Sequence, residues 1–573
     1  MKNWTNLLNK KKVVKDCNSL IHQIINTIYN KKINIHIKYN LSERELLFLY
    51  YWPLYIAINT FYDRLFSSLI EKKKNKKIHL ENFDYKITYF SNTEFVATNY
   101  YNNIKLNDNL KLKIYNQIIK KKKIKNIFNK SFKNENNLNK FSLYINKNFF
   151  INKLYNILSR TQKFFLNTNI IYEGDKFFSN ILPLKYRFQD YGYKRYSPNL
   201  KIREEIKLIL EPVLKKNLNI YGKYFSKIEI KALVEIFKEW IDFSIPFSLI
   251  EGLEERIDYY KKFVKNKNIK KVFSATGYIY NDNFKIFAML SKRNSAKLIG
   301  IEDGITNYIQ ILSKKNSSNP THFKTISLFY FTDIFCLWGK GKLHDTWKEV
   351  NKKFKTRIIK IGSPYLSNLK KWQKESIDKN NFTLLYPMGP LRRYSESLER
   401  ITFEENYEHF KNVSLFIKKL LVRHKGLRII YKPFIGIKNY PIEKILKKEI
   451  AEGKVLKINS NLKTIMPKVD LVLFDMLSTG FTEAANIGVP TLIYNCKYYL
   501  DNTSNFGKKI NSNLEKSKII FMNKKKGIEN FDFIINNINL FKKNSKKHIN
   551  QFIESVAFPI SRNKLKENLL NIK

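Results

Sequence analysis

At 573 residues, with 43% hydrophobic and 15% aromatic content, the chain is long enough for two or three domains and is not a disordered polymer. Its formal charge of +56 would ordinarily suggest nucleic acid, but roughly 90 of the basic residues are Lys, about 15 are Arg, and they are spread along the whole chain. A reader of bases and phosphates would use more Arg, whose planar fork binds bidentately. Abundant Lys, Asn and Ile instead match the codons of an AT-rich genome, so no nucleic-acid partner is expected.

The first residues, Met1 to Lys12, contain no apolar core of a signal peptide. Residues 1–165 read as mainly helical. Leu41-Ser-Glu-Arg-Glu45 has a capping-box spacing, Ser42 to Glu45, and opens the most apolar run, Leu46 to Tyr62. That run holds Pro53 and Asn59, is flanked by Arg44, Asp63 and Arg64, and falls short of the ~20 residues that span a bilayer. A buried helix pair is expected there, with Trp52-Pro53 and Tyr62-Asp63-Arg64 serving packing. The expected setting is the cytoplasm, with peripheral attraction to anionic lipid at the inner membrane face as one option.

Lys120 to Asn139 reads as a long loop or a solvated helix, and Phe164 to Asn199 as an irregular connection. Helical periodicity runs from Ile202 through Tyr260, interrupted near Pro246. Short strands then alternate with helices: Lys271–Thr276, Ala296–Ile301, Ile334–Trp338 and Arg357–Ile361, with Asn283–Arg293 helical and Gly277–Asp282 a loop. A boundary between Pro364 and Asn381 precedes a second series: strands at Phe382–Tyr386, Leu427–Tyr431, Lys454–Ile458, Asp470–Phe474 and Ile519–Phe521, and a helix at Phe410–His424. Such alternation predicts parallel β/α units. The divisions are 1–165, a β/α domain over 166–370, a second over 371–540, and closing helices over 541–573. The three cysteines, Cys17, Cys336 and Cys496, and the eight His show no metal-ligand or disulfide spacing.

The most informative stretch runs from Asp470 to Tyr494. It reads as strand, polar turn, helix and strand, with Ser478-Thr479-Gly480 where the helix begins, Glu483 in its first turn and Gly488-Val-Pro490 opening the second strand. A helix start offers unpaired N–H groups and about half a positive charge, which suit phosphate. In this reading the N–H groups around Gly480 and Phe481 meet a pyrophosphate, Ser478 and Thr479 add hydroxyls, and Glu483 accepts from ribose. Asp475 belongs to the same unit. The plainer alternative is a structural turn with a helix cap.

Lys432, after its strand, and Arg392, in the loop Pro387–Arg393, are candidate phosphate cations; each could equally be a solvated side chain. Glu302 and Asp303 stand at a strand end, where a carboxylate can serve as general base on an acceptor hydroxyl. Asp-Gly is also a common turn pair. Ser274, Thr276 and Gly277 are candidates for the acceptor side.

With these residues in view, the chain resembles a family of bacterial transferases found with O-antigen and other surface-carbohydrate genes. The resemblance is carried by Trp52-Pro53 with Tyr62-Asp63-Arg64, Thr93-Glu94-Phe95, Lys270–Thr276, Glu302-Asp303-Gly304, Leu337-Trp338-Gly339, Gly362-Ser-Pro364 and Leu477–Glu483, over about residues 40–500. Where the family has a Gln-His-Gly type sequence, this chain has Glu302-Asp303-Gly304, without the His. The C-terminal part also looks like glycerophosphotransferases and capsule glycosyltransferases of the GT-B plan. The resemblance implies a GT-B-like fold, two Rossmann-like β/α domains facing a cleft behind a helical N-terminal region. It implies a hexosyltransferase-like enzyme with a nucleotide-sugar co-substrate, a glycan or lipid-linked acceptor and no further cofactor. No hydrophobic Asp-x-Asp strand end stands out, so no metal is expected; leaving-group charge would fall to the helix dipole and to Lys432 or Arg392. The alternatives are a nucleotide-sugar epimerase, a CDP-polyol phosphotransferase, or a non-catalytic protein that binds nucleic acid or anionic glycan.

Overall fold

Runs such as Ile334-Phe-Cys-Leu337 and Leu471-Val-Leu-Phe474 are apolar at every position, and in a computed structural model they are strands buried on both faces. The structure describes residues 10–31, 33–73, 89–119, 169–173, 182, 186–188, 190–191, 196–302, 331–341, 355–367, 369–372, 374, 378, 380–391, 398, 403–434, 440–496 and 505–572. Among them lie two fully parallel sheets. The first holds β1 (Ile170–Glu173), β2 (Lys271–Ser274), β3 (Lys297–Ile301), β4 (Ile334–Leu337) and β5 (Arg357–Lys360), side by side in chain order. β1 lies in the stretch expected to be irregular. It is four residues long, pairs with β2 and carries on its other side a single bridge from Tyr172 to Arg187, so little periodicity marks it.

The second sheet holds β6 (Phe382–Pro387), β7 (Leu427–Lys432), β8 (Val455–Lys457), β9 (Leu471–Phe474), β10 (Thr491–Tyr494) and β11 (Ile520–Phe521). Their order is β11-β10-β9-β6-β7-β8. The chain builds outward from β6, returns to β9 on the other side of β6, and builds outward again. The switch point between β6 and β9 leaves a crevice at the strands' carboxyl ends, where open α/β sheets bind ligands. The molecule is thus a pair of Rossmann-like β/α domains on a GT-B-like plan, preceded by helices.

The apolar run expected as a helix pair is one 31-residue helix, Glu43–Lys73, with Pro53 inside it. Proline removes the N–H that would bond the carbonyl of Leu49. That carbonyl instead accepts from the fully buried Lys285 Nζ at 3.2 Å. Lys285 is paired with the buried Asp282 at 2.7 Å, and Asp282 Oδ2 accepts from the Thr93 backbone N–H at 2.8 Å, at the start of the helix Thr93–Asn102. One buried network therefore joins Pro53, Thr93 and the helix Asp282–Arg293 of the first domain. The capping box at Ser42 and Glu45 forms as expected, and Glu45 also meets Arg293 at 2.6 Å. Arg64, wholly buried, pairs with Asp63 and donates to Asn107 Oδ1 at 2.6 Å. These motif residues are packing elements.

The C-terminal segment returns to the first domain. The helix Ile538–Val556 packs on the second domain, with Phe552 against Phe481 at 5.0 Å. The chain leaves it at Ala557, and the helix Arg562–Leu570 buries Leu565 and Leu569 against the first sheet beside Ile170, Phe273 and Ile301. The returning backbone bonds to both adjacent strand ends: Phe558 N–H to Trp338 O at 3.1 Å and Ser363 N–H to Phe558 O at 2.7 Å. Gly339 allows this, because a Cβ there would stand 2.1 Å from Ser555 O. Gly362 has a φ of 81°, and a Cβ on it would press on Phe558 and Ile560.

Candidate functional site

The strand β9 ends at Phe474, and Ser478 starts the nine-residue helix Thr479–Ile487. Ser478 is the cap: its Oγ accepts the Phe481 N–H at 3.4 Å. The N–H groups of Thr479 and Gly480 have no intrahelical partner at this position. Phe481 is buried between Phe474 and Phe552 and roots the helix start in the core. Gly488, at φ 84°, ends the helix in the left-handed conformation.

Asp475 sits at the switch point. Its Oδ2 accepts from the Gly389 N–H at 2.7 Å and from the Tyr386 hydroxyl at 3.2 Å, so it fastens the loop after β6 to the end of β9. Gly389 lies so close that a Cβ would stand 2.9 Å from Asp475 Oδ1. Burial pushes the Asp475 carboxyl up to about 6, against the pull of those two donors. Beneath it, His409 Nε2 contacts the Asp475 carbonyl at 2.7 Å, and burial keeps that imidazole below its ordinary range. Lys432 ends β7 nearby, half-buried, and its carbonyl accepts the Met388 N–H at 2.9 Å. Arg392 lies outside the described residues.

A cavity of about 230 Å³ opens between the domains. Thr479, Thr482, Glu483 and Lys463 line it from the second domain, with Trp338, Ser363 and Tyr365 facing them and Ala557 at the crossing. Glu483 is largely buried and meets Lys463 Nζ at 3.3 Å. Burial raises the Glu483 carboxyl, and the Lys463 ammonium opposes the rise. Lys463 also lies over the Tyr365 ring, 5.3 Å from its centroid, and so touches both walls.

The first domain's other candidates stand elsewhere on its carboxyl edge. Glu302 is buried at the end of β3, and its Oε2 accepts the Trp338 N–H at 2.8 Å, bracing β3 to β4. Asp303 lies outside the described residues. Ser274 Oγ donates to Glu173 Oε2 at 2.7 Å and accepts the Gly277 N–H at 2.7 Å. The Thr276 carbonyl accepts from Ile279 and Tyr280 in a short helix, Gly277–Tyr280, where a loop was expected. A Cβ on Gly277 would stand 2.0 Å from Glu173 Oε2, so glycine makes room for that carboxylate. Ser274, Thr276 and Gly277 do not line the cavity that holds Thr479 and Glu483.

Sequence reasoning missed Glu173, Trp338, Ser363, Tyr365 and Lys463 as site residues. Trp338 and Ser363 fell within short motifs without an evident role. Glu173 fell in the unrecognised edge strand, and Lys463 is one Lys among very many.

A family model described as LIC12162 family transferase matches residues 1–527. The chain belongs to this family. No curated protein matches it. Among solved structures, this transferase is similar to an S. aureus MnaA–UDP co-structure at 12% identity, over 56% of this chain and 77% of that one, with a TM-score of 0.34. It is similar to UDP-GlcNAc 2-epimerase from Neisseria meningitidis bound to UDP-GlcNAc at 12% identity, over 55% of this chain and 79% of that one, with a TM-score of 0.33. It is similar to an O-GlcNAc transferase mutant of Thermobaculum terrenum at 13% identity, over 55% of this chain and 54% of that one, with a TM-score of 0.30. Among the described residues of the transferase no helix is long and apolar enough to cross a membrane.

Proposed function

We propose that this transferase is a glycosyltransferase that moves a hexose-type sugar from a nucleotide-sugar donor to a glycan or lipid-linked acceptor in bacterial surface-polysaccharide synthesis. The observation that carries this reading is the Ser478-capped helix start beside the switch point of a parallel sheet, with Glu483 one turn in, opening on an interdomain cavity. The N–H groups of Thr479 and Gly480 and the Ser478 and Thr479 hydroxyls take the diphosphate. Glu483, with one oxygen on Lys463, keeps acceptor capacity for ribose hydroxyls. Asp475 acts through Gly389 by fixing the loop that borders the nucleotide. Lys432, at the end of β7, and Arg392 add cations.

Of the two carboxylates at the end of β3, Glu302 is occupied by the Trp338 N–H, so the general-base role is assigned to Asp303. Ser274, Thr276 and Gly277 border the acceptor side. The helix dipole and the lysines carry the leaving-group charge, and the reaction needs neither metal nor cofactor. The lipid-linked acceptor draws the basic surface to anionic membrane at its cytoplasmic face.

The test is a thermal-shift panel of nucleoside diphosphates and nucleotide sugars, CDP and UDP included, on wild type and Glu483→Ala. At least one nucleotide should raise the melting temperature of wild type, and Glu483→Ala should lose most of the rise. No stabilisation by any nucleotide would sink the donor site. Equal stabilisation of both proteins would sink only the role of Glu483. Transfer that survives EDTA treatment would support the metal-free chemistry.

A further inference from the structure

The cavity wall opposite Glu483 is built from two neighbouring strand ends of the first domain. Trp338 follows β4 and Ser363 follows β5. The two residues are only 3% and 1% exposed, yet Trp338 Nε1 and Ser363 Oγ have no partner among the described residues. Burying an indole N–H or a hydroxyl unpaired is costly, and most such groups in folded proteins find a partner.

The backbones around these two groups, in contrast, are tied to neighbouring elements. The Trp338 N–H goes to Glu302, its carbonyl accepts from Phe558, and the Ser363 N–H goes to the Phe558 carbonyl. The Trp338 ring rests against Tyr365 at 5.6 Å. Rigid backbone thus holds two residues with buried, unpaired polar groups at a wall of the cavity opposite a helix start.

The chemistry of the lining selects the ligand. An indole N–H can only donate, a hydroxyl can donate, and Lys463 brings a positive charge. Glu483 supplies the opposite need, an acceptor for hydroxyls. The cavity therefore suits oxygen acceptors with negative charge near Trp338, Ser363 and Lys463, and sugar hydroxyls near Glu483. Its volume of about 230 Å³ is below the range of ~300–1,000 Å³ for sites that enclose a drug-sized ligand. It takes the diphosphate and what adjoins it, with the base outside.

We propose that Trp338 Nε1 and Ser363 Oγ are the first domain's binding groups for the donor diphosphate, clasping from one side the phosphates that the start of the Thr479–Ile487 helix holds from the other. This rests on the donor reading above. It makes the diphosphate a bridge between the domains, so that its binding and closure of the cleft are one event.

The probe is inorganic pyrophosphate, titrated calorimetrically into the full chain as wild type, Trp338→Phe and Ser363→Ala. Phenylalanine keeps an aromatic ring against Tyr365 and removes the N–H donor together with part of the indole's volume. Alanine removes only the hydroxyl. Wild type should bind, and each variant should bind at least tenfold more weakly, the loss expected for a hydrogen bond to a charged group. Ser363→Ala should melt no lower than wild type, since it removes an unpaired buried hydroxyl, whereas Trp338→Phe should lose some stability to the volume it vacates. Absence of pyrophosphate binding to wild type, or equal binding by all three proteins, would overturn the clasp. If nucleotides stabilise wild type and both variants alike, the clasp falls and the donor site stands. If pyrophosphate binds through Trp338 while no nucleoside diphosphate binds, the two groups hold phosphate, but the donor reading falls and the clasp as a donor site falls with it.

Discussion

The second-domain wall of the cavity comes mostly from one stretch of chain, in which strand, cap, helix and terminating glycine follow one another between Leu471 and Gly488. The first-domain wall comes from residues far apart in sequence: Trp338 and Ser363 are set by the return of Phe558 some two hundred residues later. The first kind of wall rests on local chemistry, a serine accepting from the N–H three residues on. The second rests on two glycines that leave space for a distant segment, Gly339 for its backbone and Gly362 for its side chains. Gly339 and Gly480 both look like motif glycines, and they do opposite things. A Cβ on Gly480 would meet a side chain, the Phe474 ring at 3.0 Å, whereas one on Gly339 would meet main chain at 2.1 Å.

The largest effect follows from that contrast. Gly339→Val should cost about 3 kcal/mol or more, because backbone atoms cannot move aside as a side chain can. It should also free the C-terminal segment, seen as new protease cleavage between Ala557 and Ser561. Gly480→Ala should stay within about 1 kcal/mol of wild type, since a slight shift of the Phe474 ring offsets a gain in helix propensity. Similar melting temperatures for the two variants would break the contrast and with it the role given to the crossing.

The same contrast explains what was legible in the sequence. The strands β2 to β9 and β11 lie within a residue or two of their apolar runs, and the Ser478 turn could be placed because each of its contacts is local. The helix Glu43–Lys73 was misread as two because Pro53 normally breaks a helix, and nothing in the sequence reveals that Lys285 satisfies the Leu49 carbonyl. Leu337-Trp338-Gly339 and Gly362-Ser-Pro364 were visible as motifs. Their meaning lies in Phe558, which no spacing rule connects to them. Glu302 and Asp475 were read as chemical groups, and the structure finds both bonded to a neighbouring loop or strand end.

Asp475 offers the next effect in size. Its carboxyl sits at about 6, above the ordinary value of 3.8, so the native state holds its proton more tightly than the unfolded state does. The stabilisation is complete below about pH 4, declines as the pH rises to about 6, and is flat above that. Asp475→Asn cannot titrate and keeps an oxygen for the Gly389 N–H. Relative to wild type it should gain about 2–3 kcal/mol in unfolding free energy between pH 4 and pH 7. Denaturant titrations at those two values measure it. A constant difference between the proteins would mean that the carboxyl is not raised at the switch point.

The smallest effect on stability, and the one that best separates the two walls, belongs to Lys463. Its side chain is 41% exposed and its contact with Glu483 is 3.3 Å, so Lys463→Met should shift unfolding by no more than about 1 kcal/mol at pH 7.5. The sign with pH is informative. Burial already raises the Glu483 carboxyl, and losing the cation that opposes the rise moves it further up. A raised carboxyl favours the native state below its unfolded value and loses that advantage as pH increases through the folded one. The penalty of the substitution should therefore vanish near pH 4 and appear above it. Methionine keeps an apolar stem over Tyr365, so packing alone would leave both pyrophosphate affinity and this pH dependence unchanged. A cation shared by both walls predicts instead a tenfold or larger loss of pyrophosphate affinity beside a small change in stability.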